Sequence, residues 1–330
     1  MTFNADLSPQ RREYYPVDIA VTNPPEGPPA HVTVSRGGQE DPGYSLGYNP
    51  RTQKIEGTLP DGTYTVEVST FGSPGQTGIA VINVQGAPFT GYAVTLLPNP
   101  SLRLNVTEEF TSGESVNGYQ GESYGGRPNY IRVILEPADD FGARRGRAYG
   151  WASLPQSNEP ESQPPLIENV SPGSYWVNAD PVYGYVASIK CGETDLLRSP
   201  LVVPAAGLHD PIELTLRDDG ARIEGTVENI PRTSGSSVSQ SARPAAYIYL
   251  IPASDSTGQH RELWASPEGM FSETQIPPGR YKVLSFDRPQ PELDYRNDAA
   301  MRKYEAWEQE IQLLPGQSAH LQLHLISRSD

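Results

Sequence analysis

The sequence is poor in several features that particular classes of protein require. Cys191 is its only cysteine, which excludes an intrachain disulfide, a cysteine-based zinc site and a CxxC redox pair. No apolar run approaches the roughly 18 residues that a membrane-spanning helix needs, so we expect no membrane insertion. The 25 basic residues are outnumbered by 40 acidic ones, and a formal charge of −15 disfavours nucleic acid as a partner.

Glycine and proline, in contrast, are abundant, with 31 and 33 residues in a chain of 330. Proline interrupts helices and central strands, so this frequency excludes long helices and long buried strands. Apolar residues make up only 36 %, which fits either a disordered chain or thin β-sheet cores separated by many turns. The positions of the glycines and prolines decide between these two explanations.

An internal repeat gives the chain its organisation. Three segments share an apolar residue, a tight turn that ends in glycine, and a strand that opens on tyrosine. Proline sets φ for such a turn and glycine supplies its positive φ, while tyrosine favours a strand. The three tyrosines are 111 and 106 residues apart, a spacing typical of small β-sandwich domains. They are Tyr64, Tyr175 and Tyr281, in segments 59–66, 170–177 and 276–283.

Strands of alternating polarity recur at similar positions around each turn. We predict opening strands over 17–22, 102–107 and 222–227. Second strands are predicted over 30–35, 130–136 and 246–251. Closing strands are predicted over 92–97, 212–216 and 320–326. Most glycines and prolines fall between these strands, so we predict an ordered, all-β chain. The exceptions are long loops at 111–127, 155–165 and 233–242.

The third unit contains one segment with helical rather than strand periodicity. Over about 294–309, apolar side chains recur at helical spacings, and Asn297 is suited to cap the first turn. These side chains are Met301, Tyr304, Trp307 and Ile311. We predict a helix that packs this stripe on the sandwich.

The repeat predicts three tandem β-sandwich domains, with one short helix in the third. Their predicted boundaries are 17–99, 100–219 and 220–330. Residues 1–16 have no counterpart in the repeat, and we predict that they form an N-terminal extension or linker.

These residues resemble the carboxypeptidase regulatory-like domains, which are related to transthyretin-like and CnaB-type sandwiches. The resemblance rests on the three Gly-x-Tyr turns, the x-Gly-x-Val strand at 224–227, the Leu-Leu-Pro-Gly-Gln stretch at 313–317 and residues 185–195. It implies that the three domains are Ig-like or transthyretin-like β-sandwiches and that the chain is a bacterial surface or secreted protein. CnaB-type domains can carry a Lys–Asn crosslink with its lysine on the opening strand. None of the four lysines falls on a predicted opening strand, so we expect no crosslink.

Three patterns that suggest catalysis or metal binding have simpler explanations. The GxSxG pattern at 43–47 lies where the repeat predicts an ordinary strand, and no partner histidine is identifiable. His320 and His324 share one face of the last predicted strand, opposite the leucines expected in the core. Asp218 and Asp219 predict a solvated turn, with calcium at a domain junction as the alternative. We therefore predict no enzyme and no cofactor.

Aromatic residues in and around the loops of the second unit are the candidates for ligand binding. Flat rings flanked by polar loops suit the stacking of sugars, and they suit contacts with proteins equally. The predicted ligand-binding residues are Tyr119, Tyr124, Trp151, Tyr183 and Tyr185.

Tyr14 and Tyr15, at the end of the N-terminal extension, are the candidates for assembly. The extension has a length suited to adding as a strand to the sheet edge of a neighbouring molecule. The alternative is that it links the first sandwich to an upstream domain.

The sequence thus predicts a non-catalytic structural or assembly protein, outside the cell or at the cell surface. No signal peptide precedes the first strand, so we expect it to have been removed or to lie upstream. The expected partners are other copies of the chain or other surface proteins. The alternative is a carbohydrate-binding module, with the aromatic loops of the second unit as its site and a glycan as its partner.

Overall fold

The computed structural model describes most of the chain. The residues described are 12–24, 30–37, 39–40, 45–70, 72, 74–111, 130–138, 148–153, 165–230, 244–254, 256, 258–291 and 293–327. The long loops predicted at 111–127, 155–165 and 233–242 lie almost entirely outside them. Nearly all of the regular secondary structure in the described residues is β-strand, which confirms the predicted all-β class.

The first repeat folds into two sheets. Its strands are β1 (Tyr14–Thr22), β2 (His31–Arg36), β3 (Gln39–Glu40), β4 (Ser45–Asn49), β5 (Lys54–Pro60), β6 (Gly62–Ser69), β7 (Gln76–Val84), β8 (Phe89–Thr95) and β9 (Leu97–Pro98). One sheet has the order β4-β5-β1-β8, and the facing sheet has the order β3-β2-β6-β7-β9.

The second repeat also folds into two sheets. Its strands are β10 (Leu102–Glu109), β11 (Tyr130–Pro137), β12 (Ala148–Ser153), β13 (Leu166–Ile167), β14 (Gly173–Pro181), β15 (Tyr185–Cys191), β16 (Thr194–Asp195), β17 (Leu201–Val203) and β18 (Ile212–Arg217). The sheet orders are β13-β10-β18-β15-β16 and β12-β11-β14-β17.

In the third repeat the two sheets are joined. Its strands are β19 (Ala221–Glu228), β20 (Ala246–Pro252), β21 (Arg261–Ala265), β22 (Met270–Ile276), β23 (Gly279–Phe286), β24 (Gln309–Leu313) and β25 (Ser318–Ile326). The order is β21-β20-β23-β25-β19-β22, and β24 adds to β23. A short parallel contact between the ends of β23 and β25 makes the sheet continuous.

The three repeats share one strand topology. The opening strand pairs in parallel with the closing strand in each of them: β1 with β8, β10 with β18 and β19 with β25. The second strand pairs antiparallel with the strand that opens on tyrosine: β2 with β6, β11 with β14 and β20 with β23. Alternate side chains of these strands enter an apolar core between the sheets of each repeat.

Tyr64, Tyr175 and Tyr281 are fully buried at equivalent places in the three repeats. Each hydroxyl donates a hydrogen bond to the backbone carbonyl four residues earlier. The O···O distances are 2.9 Å from Tyr64 to Pro60, 2.7 Å from Tyr175 to Ser171 and 2.6 Å from Tyr281 to Pro277. This tether, similar to the tyrosine corner of Ig-like sandwiches, fixes the turn against the strand that follows it. The sequence repeat is therefore a repeat of the fold.

Replacing Tyr281 with phenylalanine is expected to lower the free energy of unfolding by about 1–2 kcal/mol, because the buried Pro277 carbonyl loses its donor while the ring remains. Tyr175→Phe and Tyr64→Phe are expected to have similar effects. Tyr14→Phe is the control, since that side chain is exposed. Urea unfolding followed by circular dichroism measures all four variants, and a loss for Tyr14→Phe as large as for the buried tyrosines would contradict the argument.

The helix predicted over 294–309 is much shorter in the structure. Of the described residues in this segment, Asp298–Met301 form an α-helix, α1, and Arg302–Tyr304 continue as a 3₁₀ turn. Asn297 caps α1 as predicted, because its Oδ1 accepts hydrogen bonds from the backbone N–H groups of the second and third residues after it, at 3.1 and 3.3 Å.

The apolar stripe of this segment packs on the sandwich as predicted, but not as one helix. Met301 is buried against Tyr249 and Phe286, with Tyr304 partly buried beside it. Ile311 lies instead on β24, opposite Tyr281 of β23. Pairing with β23 satisfies the backbone groups of residues 309–313, so Ile311 lies on a strand although its spacing fits the helical pattern.

Two strands of the first repeat differ from their predicted bounds. β1 begins at Tyr14, three residues earlier than predicted, because Tyr14 and Tyr15 pair with Pro60 and Leu59 of β5. Residues 14–16 therefore belong to the first sheet rather than to an extension. The closing strand β8 ends at residue 95, and the short strand β9 that follows pairs with the start of β7 in the facing sheet.

Candidate functional site

The predicted ligand-binding aromatics do not come together as one exposed platform in the part of the chain that the structure describes. Tyr119 and Tyr124 lie outside the described residues. Trp151 lies on β12, where its backbone pairs with Arg132, and its side chain is outside the description. The other two residues of the set, Tyr183 and Tyr185, lie at the boundary between the second and third repeats and contact other parts of the protein.

Tyr185 is buried at this boundary and binds the linker that leads into the third repeat. Its hydroxyl donates a hydrogen bond of 2.8 Å to Asp219 Oδ1. Arg217 donates to the same carboxylate from Nε at 3.1 Å and from Nη2 at 2.6 Å. The backbone carbonyl of Asp219 accepts a hydrogen bond of 2.8 Å from the N–H of Gly316 in the third repeat. Asp219 is thus held from both repeats.

The electrostatics of this cluster favour a charged carboxylate. Burial acts to raise the pKa of Asp219, but the hydrogen bonds from Arg217 and Tyr185 outweigh it, so that the pKa is lowered. Burial, followed by the bond to the Asp219 carboxylate, raises the pKa of the Tyr185 phenol. The phenol therefore stays protonated and remains a donor.

The neighbouring residues complete the boundary on the side of the second repeat. Tyr183 packs edge-on against Phe110, with ring centroids 5.3 Å apart. Asp218 Oδ1 accepts hydrogen bonds from the backbone N–H and the hydroxyl of Thr111, at 2.7 and 2.9 Å. Both members of the acidic pair at 218–219 thus accept hydrogen bonds from protein donors, where the sequence predicted a solvated turn or a calcium site.

A stack of rings and a guanidinium group spans the same boundary. His260 stacks on Tyr295 with ring centroids 4.1 Å apart and planes within 13°. Arg296 lies over the Tyr295 ring at 4.4 Å and over the ring of Trp176, from the second repeat, at 4.0 Å. These distances are typical of cation–π contacts. A continuous stack therefore runs from Trp176 on β14 to His260 in the third repeat.

Two further hydrogen bonds cross this boundary. Arg198 donates from Nη2 to the carbonyl of Ser256 at 3.2 Å, and Gln259 donates from Nε2 to the carbonyl of Val186 at 3.2 Å. The boundary between the second and third repeats thus involves strands and loops well beyond the linker. We call this set of contacts, with the stack and the Asp219 cluster, the second joint.

The imidazole of His260 is the chemically unusual group of the second joint. Its Nε2 atom is enclosed and has no hydrogen-bond partner among the described residues. Burial, followed by the positive charges of Arg296 and Arg261, lowers the pKa of His260 to about 4. The ring is therefore neutral at physiological pH, which suits its position beside two arginines.

The boundary between the first and second repeats is smaller and is built around asparagines. Asn169 adopts a positive φ of 58° and presents its side chain to the first repeat. Its Oδ1 accepts hydrogen bonds from the Gly75 N–H at 2.7 Å and from Asn99 Nδ2 at 3.1 Å, and its Nδ2 donates to the Gly72 carbonyl at 3.3 Å. The Asn99 N–H donates to the Gly75 carbonyl at 2.8 Å. We call this set the first joint.

Sequence reasoning missed most residues of both joints. Asn169 left a weak signal, because asparagine adopts positive φ more readily than other non-glycine residues. No sequence pattern indicated His260, Tyr295 or Arg296, since their contacts connect segments that are distant in the sequence.

The other patterns discussed above lie in ordinary β-structure. Ser45 of the GxSxG pattern begins β4, which turns back into antiparallel β5, whereas a nucleophile elbow leads into a helix. Gly43 lies outside the described residues. His320 and His324 lie on the exposed face of β25, as predicted, and His324 Nδ1 is 3.2 Å from the Glu228 carboxylate.

Two of the lysines form ion pairs, and the surroundings of the cysteine disfavour its reactive form. Lys54 lies on β5 and pairs with Asp18 of the opening strand at 2.8 Å, and Lys282 pairs with Glu308 at 2.8 Å. Burial, followed by two nearby carboxylates, raises the pKa of the Cys191 thiol, which disfavours the nucleophilic thiolate. Among the described residues, we find no group of three or more potential metal-ligating His, Cys, Asp or Glu side chains. None of the described helical segments has the length and hydropathy to cross a membrane.

No protein-family model matches the chain, and no curated protein matches it either. Solved structures that match include the TIE protein of Bacillus anthracis, with 11 % identity, a TM-score of 0.20 and coverage of 95 % of this chain. The chain spans only 50 % of that protein. A variant of BcpA, the major pilin subunit of Bacillus cereus, matches with 9 % identity and a TM-score of 0.19, over 94 % of this chain and 99 % of the pilin. Structural similarities with such low TM-scores do not indicate a function. The fold described above therefore rests on the strand pairing of this chain alone.

Proposed function

We propose that the chain is a non-catalytic structural protein that acts outside the cell or at the cell surface. Three β-sandwich domains, over residues 14–99, 100–219 and 220–330, are connected in series and hold a fixed geometry relative to one another. The sequence-level resemblance to secreted sandwich modules supports the location. Carbohydrate binding is not proposed, because Tyr183 and Tyr185 pack within the protein.

One observation carries the proposal: both joints immobilise the linker between repeats by specific side-chain contacts. A linker that only tethered two independent domains would leave its polar groups to water. Here the Asn169 side chain binds two backbone groups of the first repeat, and Asp219 is bound from the repeats on both sides. Fixed joints of this kind make a chain of sandwiches suitable as a spacer or as a subunit of an assembly.

Replacing Asn169 with glycine is expected to loosen the first joint without unfolding either repeat. Glycine tolerates the positive φ at this position, so the variant removes the side-chain hydrogen bonds without backbone strain. Small-angle X-ray scattering should show a broader distribution of interatomic distances than for the native chain. The midpoint of urea unfolding should stay nearly unchanged.

The matched control is Asn229→Gly, which changes an asparagine with φ of 61° at the exposed end of β19, away from both joints. Its scattering profile is expected to match that of the native chain. The proposal would be overturned if the native chain already showed freely moving repeats and Asn169→Gly changed nothing.

A further inference from the structure

Strand β7 of the first repeat has an unusually open edge. On one side it pairs with β6 along residues 62–69. On its other side, in the described part of the chain, pairing is confined to Gln76 and Thr77, which meet β9. The backbone of residues 79–84 therefore presents an edge on which a further strand can add.

The side chains of this edge are mostly apolar, and none of them is charged. From 76 to 84 the strand reads Gln-Thr-Gly-Ile-Ala-Val-Ile-Asn-Val, with no charged residue and no proline. Ile79 is 45 % exposed and Val81 is 61 % exposed on the outer face of the sheet. Short segments of high β-propensity with neither charge nor proline are the ones that pair with other chains.

The equivalent edges of the other two repeats are shorter and less suited to pairing. In each repeat, one strand pairs with the strand that contains the buried tyrosine. The residue paired with that tyrosine is aliphatic: Ile82 on β7, Leu201 on β17 and Ile311 on β24. The residue that precedes this aliphatic residue is Pro200 in the second repeat and Glu310 in the third, and both proline and charged residues hinder pairing at a sheet edge. In the first repeat it is Val81. The covering strands β17 and β24 have only 3 and 5 residues, against 9 in β7.

The partner that this edge fits is a second copy of the same strand. The formal charge of −15 on each chain opposes association at long range, and physiological salt screens this repulsion. At the contact itself, a second copy of β7 brings only uncharged side chains to the edge. Antiparallel pairing about a two-fold axis at Val81 places Val81 opposite its own copy and Ile79 opposite Asn83, so that no charge is brought into the contact.

We propose that the chain forms a symmetric dimer in which β7 pairs antiparallel with β7 of a second copy, centred on Val81. The two sheets that contain β7 then form one continuous sheet across the dimer. This inference rests on the proposed structural role and names the partner in assembly. It differs from the sequence prediction of an N-terminal strand, because Tyr14 and Tyr15 already pair within their own chain.

Sedimentation velocity over a range of concentrations tests the proposal. The native chain is expected to dimerise, and Val81→Lys, which puts a charge on the open edge, is expected to raise the dimer Kd at least tenfold. The matched control is Val202→Lys, which changes a valine that is 66 % exposed on the short edge strand β17. It is expected to leave the Kd unchanged. A native chain that stays monomeric up to about 1 mM would overturn the proposal.

A crosslink tests the position of the two-fold axis. In a Cys191→Ser background, Val81→Cys is expected to form an intermolecular disulfide under mild oxidation, because directly opposed residues of an antiparallel pair lie within disulfide range. Val202→Cys should not. A dimer that forms without the Val81 crosslink, or that survives Val81→Lys, would overturn β7 pairing.

These experiments distinguish a failure of the dimer proposal from a failure of the proposed spacer role. Scattering from monomeric Val81→Lys protein reports the geometry of the three repeats alone. A fixed geometry in that variant, together with a native chain that stays monomeric, would contradict only the β7 proposal. Repeats that move freely in a chain that still crosslinks at Val81→Cys would contradict only the proposed spacer role.

Discussion

Replacing Gly225 with alanine is expected to destabilise the third repeat by about 3 kcal/mol or more, a large effect for one methyl group. Gly225 lies on β19, where a Cβ atom would be 2.0 Å from the carbonyl oxygen of Leu321 and 2.8 Å from the ring of Phe271. Leu321 belongs to β25, which pairs in parallel with β19 at this residue. The obstacle is backbone, so the new methyl group fits only if the two strands separate. Urea unfolding followed by circular dichroism measures the loss.

Gly47→Ala is the matched control for this prediction. Gly47 also lies within a strand, β4, but a Cβ atom there would meet nothing within 4 Å. Since alanine reduces the conformational entropy of the unfolded chain, this variant is expected to be neutral or more stable by up to about 1 kcal/mol. Equal destabilisation by both changes would show that loss of glycine flexibility, rather than the close approach of β25, is responsible.

Acidification from about pH 6.5 to about pH 4 is expected to weaken the second joint through His260. The folded-state pKa of His260 is lowered to about 4, while the unfolded chain has the ordinary value of 6.5. Between these values the unfolded state binds a proton that the folded state does not, so stability falls as the pH falls. At about 1.4 kcal/mol for each pKa unit, the loss reaches at most about 3 kcal/mol near pH 4. Above pH 6.5 the contribution is constant.

His260→Phe isolates this contribution from that of the carboxyl groups, which titrate in the same range. Phenylalanine keeps a ring on Tyr295 and removes the enclosed Nε2 atom, so the variant should be at least as stable as the native chain at pH 7. Its stability should fall less between pH 6.5 and 4. His209→Gln, at an exposed position, is expected to keep the native pH dependence. Urea unfolding at pH 7.0 and 4.5 compares the three proteins, and identical pH dependence in all of them would refute the role of His260.

The strand positions could be predicted because their causes are local. A turn that ends in glycine followed by tyrosine specifies a strand start, and alternation over six or seven residues specifies which side chains enter the core. The β10, β18 and β19 bounds differ from their predicted bounds by no more than two residues at either end. Ile311 shows the limit of such local causes: its spacing fits the predicted helix, but it lies on β24 because it pairs with β23, which is not a local property of the sequence.

The buried tyrosines show which features of the fold could be predicted from local sequence. Their spacing in the sequence reveals three equivalent units, and the structure adds that each hydroxyl binds the carbonyl four residues earlier. Gly225 shows the opposite case. Its place in a family-like pattern is visible in the sequence, but the reason for glycine there is the carbonyl of Leu321, about 96 positions further along the chain.

Local patterns in the sequence were enough to predict an all-β chain, three repeated units and turns at most of the glycines and prolines. The contacts between the repeats, such as that of Trp176 with Arg296 about 120 residues away, and the position of the open edge were visible only in the folded chain. The physical reason is that turns and alternation depend on neighbours in the chain. Joints and edges depend instead on the relative orientation of complete sheets, which long-range packing sets.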